Sequence, residues 1–195
     1  YAVAKVAAED TLKILAKTHG VAYSILVPHN IIGTRQRYID PHRNVASIMI
    51  NRCLQGLPPI IYGDGSHTRC FSPVVDCIPS IIKAVYGSAD GEVVNIGPDT
   101  GEITISDLAG KIIALTGAEP YALNFPDRPN EVAHAYCSSE KARRLLGYEE
   151  KQSIDDCLTE MVEDIKRLGP KPFVYDFPLE IVNERTPKTW VEKLI

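Results

Sequence analysis

Features that would point to common partners are missing from this chain of 195 residues. Basic residues are not in excess: 21 Lys and Arg stand against 25 Asp and Glu, for a net charge of −4. The chain therefore has no positive field for a nucleic acid backbone. No apolar run approaches the ~18–20 residues that span a bilayer, and the first ten residues lack a signal-peptide pattern. We expect neither nucleic acid nor a membrane as a partner.

The cysteines lack the spacing of a metal site or of a disulfide framework. Their number is odd, and none forms a C-x-x-C pair. This scatter disfavours both zinc ligation and structural disulfides, so we expect no metal ion. Reduced thiols fit a cytoplasmic protein. The five residues are Cys53, Cys70, Cys77, Cys137 and Cys157.

Glycine-rich phosphate-binding turns are also absent, because neither G-x-G-x-x-G nor G-x-x-x-x-G-K occurs. The chain does contain alternating helical and strand patterns, typical of the α/β class. Because a nucleotide-binding α/β fold begins with a strand, a glycine-rich turn and a helix, this chain is expected to lack a preceding cofactor-binding half. The predicted helices lie over 2–17, ended by Gly20, over 45–56, 76–86 and 140–147, after an N-cap at Ser106, and from an N-cap at Ser153 to about 168. The predicted strands lie over 21–27, 60–62 and 93–96, with the end of a returning strand over 70–72; a long loop is predicted over 28–44 and an extended tail over 169–195.

Tyr1 and Lys5 form a Tyr-x-x-x-Lys pattern at the start of the first predicted helix. Residues four apart lie on the same helix face, so the ammonium of Lys5 can lower the pKa of the phenol. A phenol tuned in this way can take a proton from a hydroxyl group while a hydride leaves the same carbon. The alternative is an ordinary solvated pair on a helix surface.

Further motifs follow this pattern in a specific order. They are YAVAK, PHNIIGTRQ, RNVASIMINRCLQG, PIIYGDGSHTRCFS, TISDLA, RPNEV and SSEKARRLLGY. Together they resemble the extended short-chain dehydrogenase/reductase family, in its NAD-dependent epimerase/dehydratase branch around UDP-glucose 4-epimerase. The resemblance implies the C-terminal part of a Rossmann-type doubly wound fold over 1–43 and a smaller mixed α/β substrate-binding domain over 44–168. Residues 169–195 would form the tail.

The resemblance also implies NAD as the cofactor. Tyr1 would be the catalytic acid/base, and Lys5 would hold the nicotinamide ribose and lower the Tyr1 pKa. Pro28 and His29 would pass the nicotinamide ring. The family's glycine-rich turn lies upstream of Tyr1, so the chain alone is expected to be inactive.

Substrate contacts are implied for a second set of residues, each with a plainer alternative. Asn30 would meet the diphosphate or bond its own loop backbone, and Asn44 would bind the nucleotide beside Val45, cap a helix, or do both. Ile60 and Tyr62 would border the base, although Tyr62 could be a core aromatic. In the same way Arg69 and Arg128 would clamp the diphosphate bidentately, and Glu131 would bind ribose hydroxyls; solvated surface positions are the alternatives.

Three departures from the family pattern stand out. Thr34 replaces a usual proline, and Pro73 interrupts an aromatic-Val-Asp-Asp run of which only Asp76 of the acidic pair remains. We expect Pro73 to loosen the junction between strand and helix, since proline donates no ladder hydrogen bond. Ala135 stands where many relatives carry a bulky residue, and its small side chain would leave room for an N-acetyl group.

The expected activity is epimerisation of a nucleotide-diphosphate sugar, a UDP-hexose or UDP-N-acetylhexosamine, at C4 through a transient 4-keto intermediate. A 4,6-dehydratase, decarboxylase or reductase would share Tyr1 and Lys5 and stays an alternative. So does a non-catalytic protein that only binds a nucleotide sugar. In the full-length protein we expect a homodimer.

Overall fold

A computed structural model describes residues 2–129, 131–179 and 181–195. Its helices are α1 Ala2–His19, α2 Val45–Leu54, α3 Val74–Val85, α4 Ile105–Thr116, α5 Glu140–Leu146, α6 Ile154–Leu168 and α7 Lys188–Val191. Its strands are β1 Ile25–Pro28, β2 Ile31–Ile32, β3 Ile60–Tyr62, β4 Thr68–Arg69, β5 Ser72–Pro73, β6 Val93–Ile96, β7 Ile103–Thr104, β8 Leu123–Phe125 and β9 His134–Ala135. Among these helices none is long and apolar enough to cross a membrane.

The strands form small sheets in which parallel pairing prevails. β1 pairs with β6, β2 with β5 and β3 with β8, each in parallel. β4 lies between β7, which is antiparallel to it, and β9, which is parallel. Parallel strands need a crossover connection, commonly a helix, and helices do separate these strands along the chain. The predicted α/β class is confirmed.

The larger hydrophobic core lies between α2, α4 and α6. Met49 and Ile50 of α2, Ile112 of α4 and Leu158 of α6 are fully buried in it. These helices begin at well-formed caps: the side chains of Asn44 and Ser153 accept hydrogen bonds from backbone N–H groups of the first turns of α2 and α6. The cap predicted at Ser153 is confirmed. For α4, however, the predicted cap at Ser106 is wrong.

The cap of α4 is Thr104, whose Oγ1 accepts from the backbone N–H of Asp107 at 2.9 Å. Ser106 already lies inside the helix, and its backbone N–H donates to the carbonyl of Gly65 at 3.0 Å. That contact is close because Gly65, at φ 78°, brings the turn after β3 against the start of α4. The helix therefore starts two residues upstream of the predicted position.

A smaller core surrounds the β1–β6 pair. It contains Val94 and Ile96 of β6 together with Cys77 of α3 and Leu146 of α5. The strand predicted over 21–27 begins only at Ile25, because its partner β6 begins at Val93. The helix predicted over 76–86 begins two residues earlier, directly after Pro73.

Pro73 and Asp76 connect these elements. Pro73 is buried, ends β5 opposite Ile32, and precedes the first residue of α3. Asp76 is also buried, and its Oδ2 accepts from the backbone N–H groups of Lys151 at 3.1 Å and Gln152 at 3.2 Å. The carboxylate therefore ties α3 to the segment that leads into α6.

The C-terminal tail, residues 169–195, lies along α2 and the loop before it. Asn51 of α2 exchanges two hydrogen bonds with the backbone of Lys171, at 2.9 and 3.2 Å. The backbone N–H of Val174 donates to the carbonyl of Ile39 at 2.8 Å. Our prediction of an irregular tail is wrong in one detail, since residues 188–191 form the short helix α7.

Candidate functional site

A cavity of about 320 Å³ lies beside the N-terminus of α2, between β3, β4 and the end of the C-terminal tail. Its wall includes side chains that are far apart in the sequence. Eight of the residues predicted for substrate binding line it: Asn30, Asn44, Val45, Ile60, Tyr62, Arg69, Arg128 and Glu131. The structure thus brings these residues to one place, and their individual roles stay predictions.

The charged part of the cavity is a cluster of two arginines around one glutamate. Arg128 donates to both carboxylate oxygens of Glu131, from Nε at 2.7 Å and from Nη2 at 2.6 Å. Arg69 donates from Nη2 to Glu131 Oε1 at 3.3 Å and from Nη1 to the carbonyls of Thr68 at 2.7 Å and Ala133 at 3.2 Å. The cluster carries two positive charges and one negative, so it can accept an anion.

These contacts set the ionisation of Glu131. Burial by itself would raise the pKa of the carboxyl group, but the hydrogen bonds and charge of Arg128, with the charges of Arg69 and His67, bring the pKa below its ordinary value. The hydrogen bonds to Glu131 in turn raise the pKa of Arg128, although burial opposes this. Glu131 and Arg128 therefore both favour their charged forms.

An aromatic ring adjoins the charged cluster. The guanidinium carbon of Arg128 lies 4.5 Å from the centre of the Tyr62 ring, within the range of a cation–π contact. The Tyr62 hydroxyl is hydrogen-bonded to Oγ1 of Thr189 in the C-terminal tail. Tyr62 therefore touches the arginine on one side and the tail on the other, and it is not simply a core aromatic.

Two asparagines form hydrogen bonds that hold the backbone near the N-terminus of α2. Asn44 Oδ1 accepts from the Ala46 N–H at 3.0 Å, so its predicted capping role is confirmed. Asn30 has φ 41°, a left-handed conformation that asparagine tolerates better than most residues. Its Nδ2 donates to the carbonyl of Cys70 at 3.0 Å. This hydrogen bond holds the loop between β1 and β2 against the segment between β4 and β5.

Ala135 is not brought into this cavity. It lies in β9 opposite Arg69, and its carbonyl oxygen accepts from the Cys70 N–H at 3.4 Å and lies 3.0 Å from His29 Nε2. Ala135 thus lies on the strand beside the lining residue Arg69 but is not itself a lining residue, and its predicted contact with the sugar stays a prediction.

Lys5, Pro28 and His29, which are predicted to contact NAD, are not among the residues that line this cavity. Pro28 ends β1 and is exposed, and His29 follows it, donating its backbone N–H to Ile96 at 2.8 Å. Ligands of open α/β sheets bind beyond the carboxyl ends of parallel strands, which is where these two residues stand. Lys5 lies on the exposed first turns of α1, and Tyr1 lies outside the described residues.

Other lining residues were not predicted. His42 comes from the loop before α2, His67 from the turn before β4, and Trp190 and Ile195 from the C-terminal tail. A local pattern could have suggested His67, which follows the glycine turn at 63–65. Nothing local could have suggested Trp190 or Ile195, because only the long-range course of the tail brings them here.

Chemically, the cavity offers hydrogen-bond donors with positive charge beside an aromatic and aliphatic wall. This combination suits a ligand with an anionic part and a flat or apolar part, such as a nucleoside diphosphate. Among the described residues no group of three or more His, Cys, Asp or Glu could hold a metal ion.

Known proteins resemble this chain in sequence and fold. A model of the NAD dependent epimerase/dehydratase family matches residues 1–97. A Methanocaldococcus jannaschii protein provisionally named UDP-glucose 4-epimerase is 34% identical over 148 residues, which cover 74% of this chain and 46% of that protein. A UDP-N-acetyl-alpha-D-glucosaminuronate decarboxylase of Bacillus cytotoxicus is 28% identical over 84% of this chain and 52% of its own length.

A solved structure agrees with these relatives. The UDP-glucose 4-epimerase of Thermotoga maritima, crystallised with UDP-glucose, superposes with a TM-score of 0.79 and 29% identity, over 86% of this chain and 53% of that one. The chain thus spans about half the length of the proteins it matches. Its parallel α/β fold is that of the Rossmann-type epimerases, and it belongs to the NAD-dependent epimerase/dehydratase family.

Proposed function

We propose that this chain forms the C-terminal part of an NAD-dependent enzyme that epimerises a nucleotide-diphosphate sugar at C4. The observation that carries the proposal is the cavity beside α2, which gathers eight side chains from segments between Asn30 and Glu131. Two arginines and an aromatic ring meet there, as a nucleoside diphosphate requires. The chain spans about half the length of its relatives, and we propose that this half binds the substrate.

The ligand would lie with its diphosphate at Arg69 and Arg128. Both guanidinium groups already donate to Glu131, so the phosphate oxygens would share or replace those hydrogen bonds. Glu131 would then be released toward the ribose hydroxyls, which donate to a carboxylate. Ile60 and Tyr62 of β3, with Asn44 and Val45 at the start of α2, would surround the nucleoside.

The cofactor would lie on the other side of Asn30, beyond the carboxyl ends of β1 and β6. When bound, NAD supplies the hydride acceptor for the sugar C4. Tyr1 would accept the proton of the C4 hydroxyl and return it, while Lys5 would keep the phenol pKa low. Pro28 and His29 would line the nicotinamide side. Loss of the hydride from C4 to NAD and of the proton from the C4 hydroxyl oxygen to Tyr1 would give a 4-keto sugar. Return of the hydride to the opposite face of C4, with the proton returned to the oxygen, would give the epimer.

The decisive experiment measures interconversion of UDP-glucose and UDP-galactose by the chain joined to the cofactor-binding half that we propose precedes it. Wild type is compared with Tyr1→Phe, and the matched control is Tyr86→Phe, at an exposed tyrosine that directly follows α3. We expect Tyr1→Phe to lose at least ~100-fold in rate, the range of an acid–base group, and Tyr86→Phe to lose none. Equal rates in all three proteins would reject Tyr1 as the base.

The Bacillus cytotoxicus decarboxylase is similar enough to keep a sister activity as the second candidate. In that case the same assay would release a decarboxylated or keto sugar instead of the epimer. Ligand binding without turnover would favour a non-catalytic nucleotide-sugar-binding protein. Including the N-acetyl forms tests the prediction for Ala135: rejection of UDP-N-acetylglucosamine by an enzyme active on UDP-glucose would exclude it. Sedimentation of the same protein tests the predicted homodimer.

A further inference from the structure

The C-terminal tail contributes directly to the cavity wall. Trp190 of α7 and Ile195 both line it, more than 55 residues after the last predicted lining residue in the chain, Glu131. The tail is not merely laid over the surface there. Among the contacts of its last seven residues are three hydrogen bonds that hold them in place.

The first contact uses a buried arginine of α2. Arg52 donates from Nη1 to the carbonyl of Leu194 and from Nε to the carbonyl of Pro58, both at 2.8 Å. In the second, the Tyr175 hydroxyl donates to the carbonyl of Ile195 at 2.9 Å. Placing a buried guanidinium group costs free energy unless it is hydrogen-bonded, and burial lowers the pKa of Arg52. A buried arginine thus holds the end of this tail through a hydrogen bond.

The third contact joins α7 to the cavity itself. Thr189 is 1% exposed, and its Oγ1 meets the hydroxyl of Tyr62. The neighbouring Trp190 ring is edge-on to His42, with the centroids 5.4 Å apart and the planes at 89°. The indole is half-buried, so one part of it packs on the protein while another part faces the cavity.

Tyr62 contacts both the charged cluster and the residue before Trp190. The Tyr62 ring lies under Arg128, and its hydroxyl reaches Thr189, the residue before Trp190. The cavity is thus lined both by guanidinium groups, one of which packs on Tyr62, and by the tryptophan ring, whose preceding residue is bound by the Tyr62 hydroxyl. In a nucleoside diphosphate the anionic part and the flat part are likewise joined through a short linker, the ribose.

We propose that Trp190 is a ligand-binding residue of this site: its indole packs against the nucleoside base while Arg69 and Arg128 hold the diphosphate, so that the C-terminal tail forms one wall of the base subsite. This inference rests on the proposed function and assigns to the tail the recognition of the base. Packing of a base on an aromatic ring contributes about 1–3 kcal/mol. That range corresponds to about 5- to 150-fold in affinity.

The test is UDP binding to the 195-residue chain, measured by calorimetry. Trp190→Ala is expected to weaken UDP binding about 5- to 100-fold, and Trp190→Phe, which keeps an aromatic face, less than about 3-fold. Phe177→Ala is the matched control, because Phe177 belongs to the same tail but is exposed, and it should bind UDP like wild type. Urea unfolding of each variant shows that the fold is kept.

A second measurement needs no substitution. Trp190 is the sole tryptophan of the chain, so its fluorescence reports on this wall alone, and saturating UDP should change its emission. Unchanged emission on a chain that binds UDP would overturn the inference and leave the proposed function standing. The same holds if Trp190→Ala binds UDP like wild type, or if Trp190→Phe loses as much as Trp190→Ala. A wild-type chain that binds no UDP would reject the nucleotide site itself.

Discussion

The two halves of the molecule differ in how far they bury their own apolar surface. Around the cavity, α2, α4 and α6 enclose a core in which large aliphatic side chains are fully buried. Around β1 and β6 the opposite is seen. Helix α1 contains no buried residue among those described, and Val3 and Ile14 are 84% and 62% exposed. Helix α3, although packed on β6, leaves Val85 78% exposed.

This difference shows which part of the fold is self-sufficient. A pair of short parallel strands such as β1 and β6 is at best marginally stable without further strands or covering helices. Apolar faces of this kind normally mark surfaces that another part of a protein covers. The cavity region needs no such help, since the described residues that line it come from one packed unit. The contrast supports the proposal that the β1–β6 region is completed by a cofactor-binding half.

Truncation of one isoleucine in each region should affect stability very differently. Ile112 of α4 is fully buried in the larger core, whereas Ile14 of α1 is 62% exposed. Ile112→Ala should lower the free energy of unfolding by about 2–5 kcal/mol, because it removes buried methyl groups and leaves a cavity. Ile14→Ala should change it by about 0.5 kcal/mol or less.

Urea denaturation of the 195-residue chain, followed by circular dichroism, measures both values. The residue type and the substitution are the same, so the difference reports the environment alone. Similar losses for the two variants would mean that α1 is packed in solution, against another copy or against the rest of the chain. The described contrast between the regions would then not hold.

A second prediction concerns the charged cluster. Arg128→Ala should weaken UDP binding about 10- to 100-fold, since it removes a bidentate, charge-assisted donor and leaves Glu131 paired with Arg69 alone. Arg167→Ala is the matched control, because Arg167 pairs with Asp164 on the surface of α6. Calorimetry with UDP compares them. If Arg167→Ala lost as much affinity, general surface charge rather than the cavity would explain binding.

Much of this architecture could be predicted from the sequence because its signals are local. Capping residues, glycine turns and apolar periodicity lie within a few residues of the elements they specify, as at Ser153 and Gly20. The motif order also indicated which side chains meet at the cavity. Strands of two residues, such as β2 and β4, could not be predicted, since their pairing depends on partners about 40 and 35 residues away.

The tail shows the same limit at the site itself. Trp190 reaches the cavity because Arg52 and Tyr62 hold its neighbours Leu194 and Thr189. Each of these bonds joins residues more than 120 positions apart, and no spacing in the sequence encodes them. The cap of α4 differs from this, because it is a local contact: Thr104 Oγ1 accepts from the backbone N–H of Asp107, three residues later. Long-range contacts thus account for the residues of the tail that local patterns missed at the cavity.

The smallest expected effect is a pH dependence that belongs to the cavity cluster. The lowered pKa of Glu131 means that folding favours its ionised form, so the carboxylate stabilises the protein above the ordinary pKa of about 4.3. As pH falls through that value to the lowered one, this contribution is lost. Glu131→Gln should therefore cost about 1 kcal/mol of unfolding free energy at pH 7 and progressively less in acid. Glu163→Gln, on the exposed surface of α6, should change stability little at any pH. Urea denaturation at pH 3 to 7 compares the two, and a constant difference between wild type and Glu131→Gln across this range would contradict the ion-pair geometry on which the diphosphate site depends.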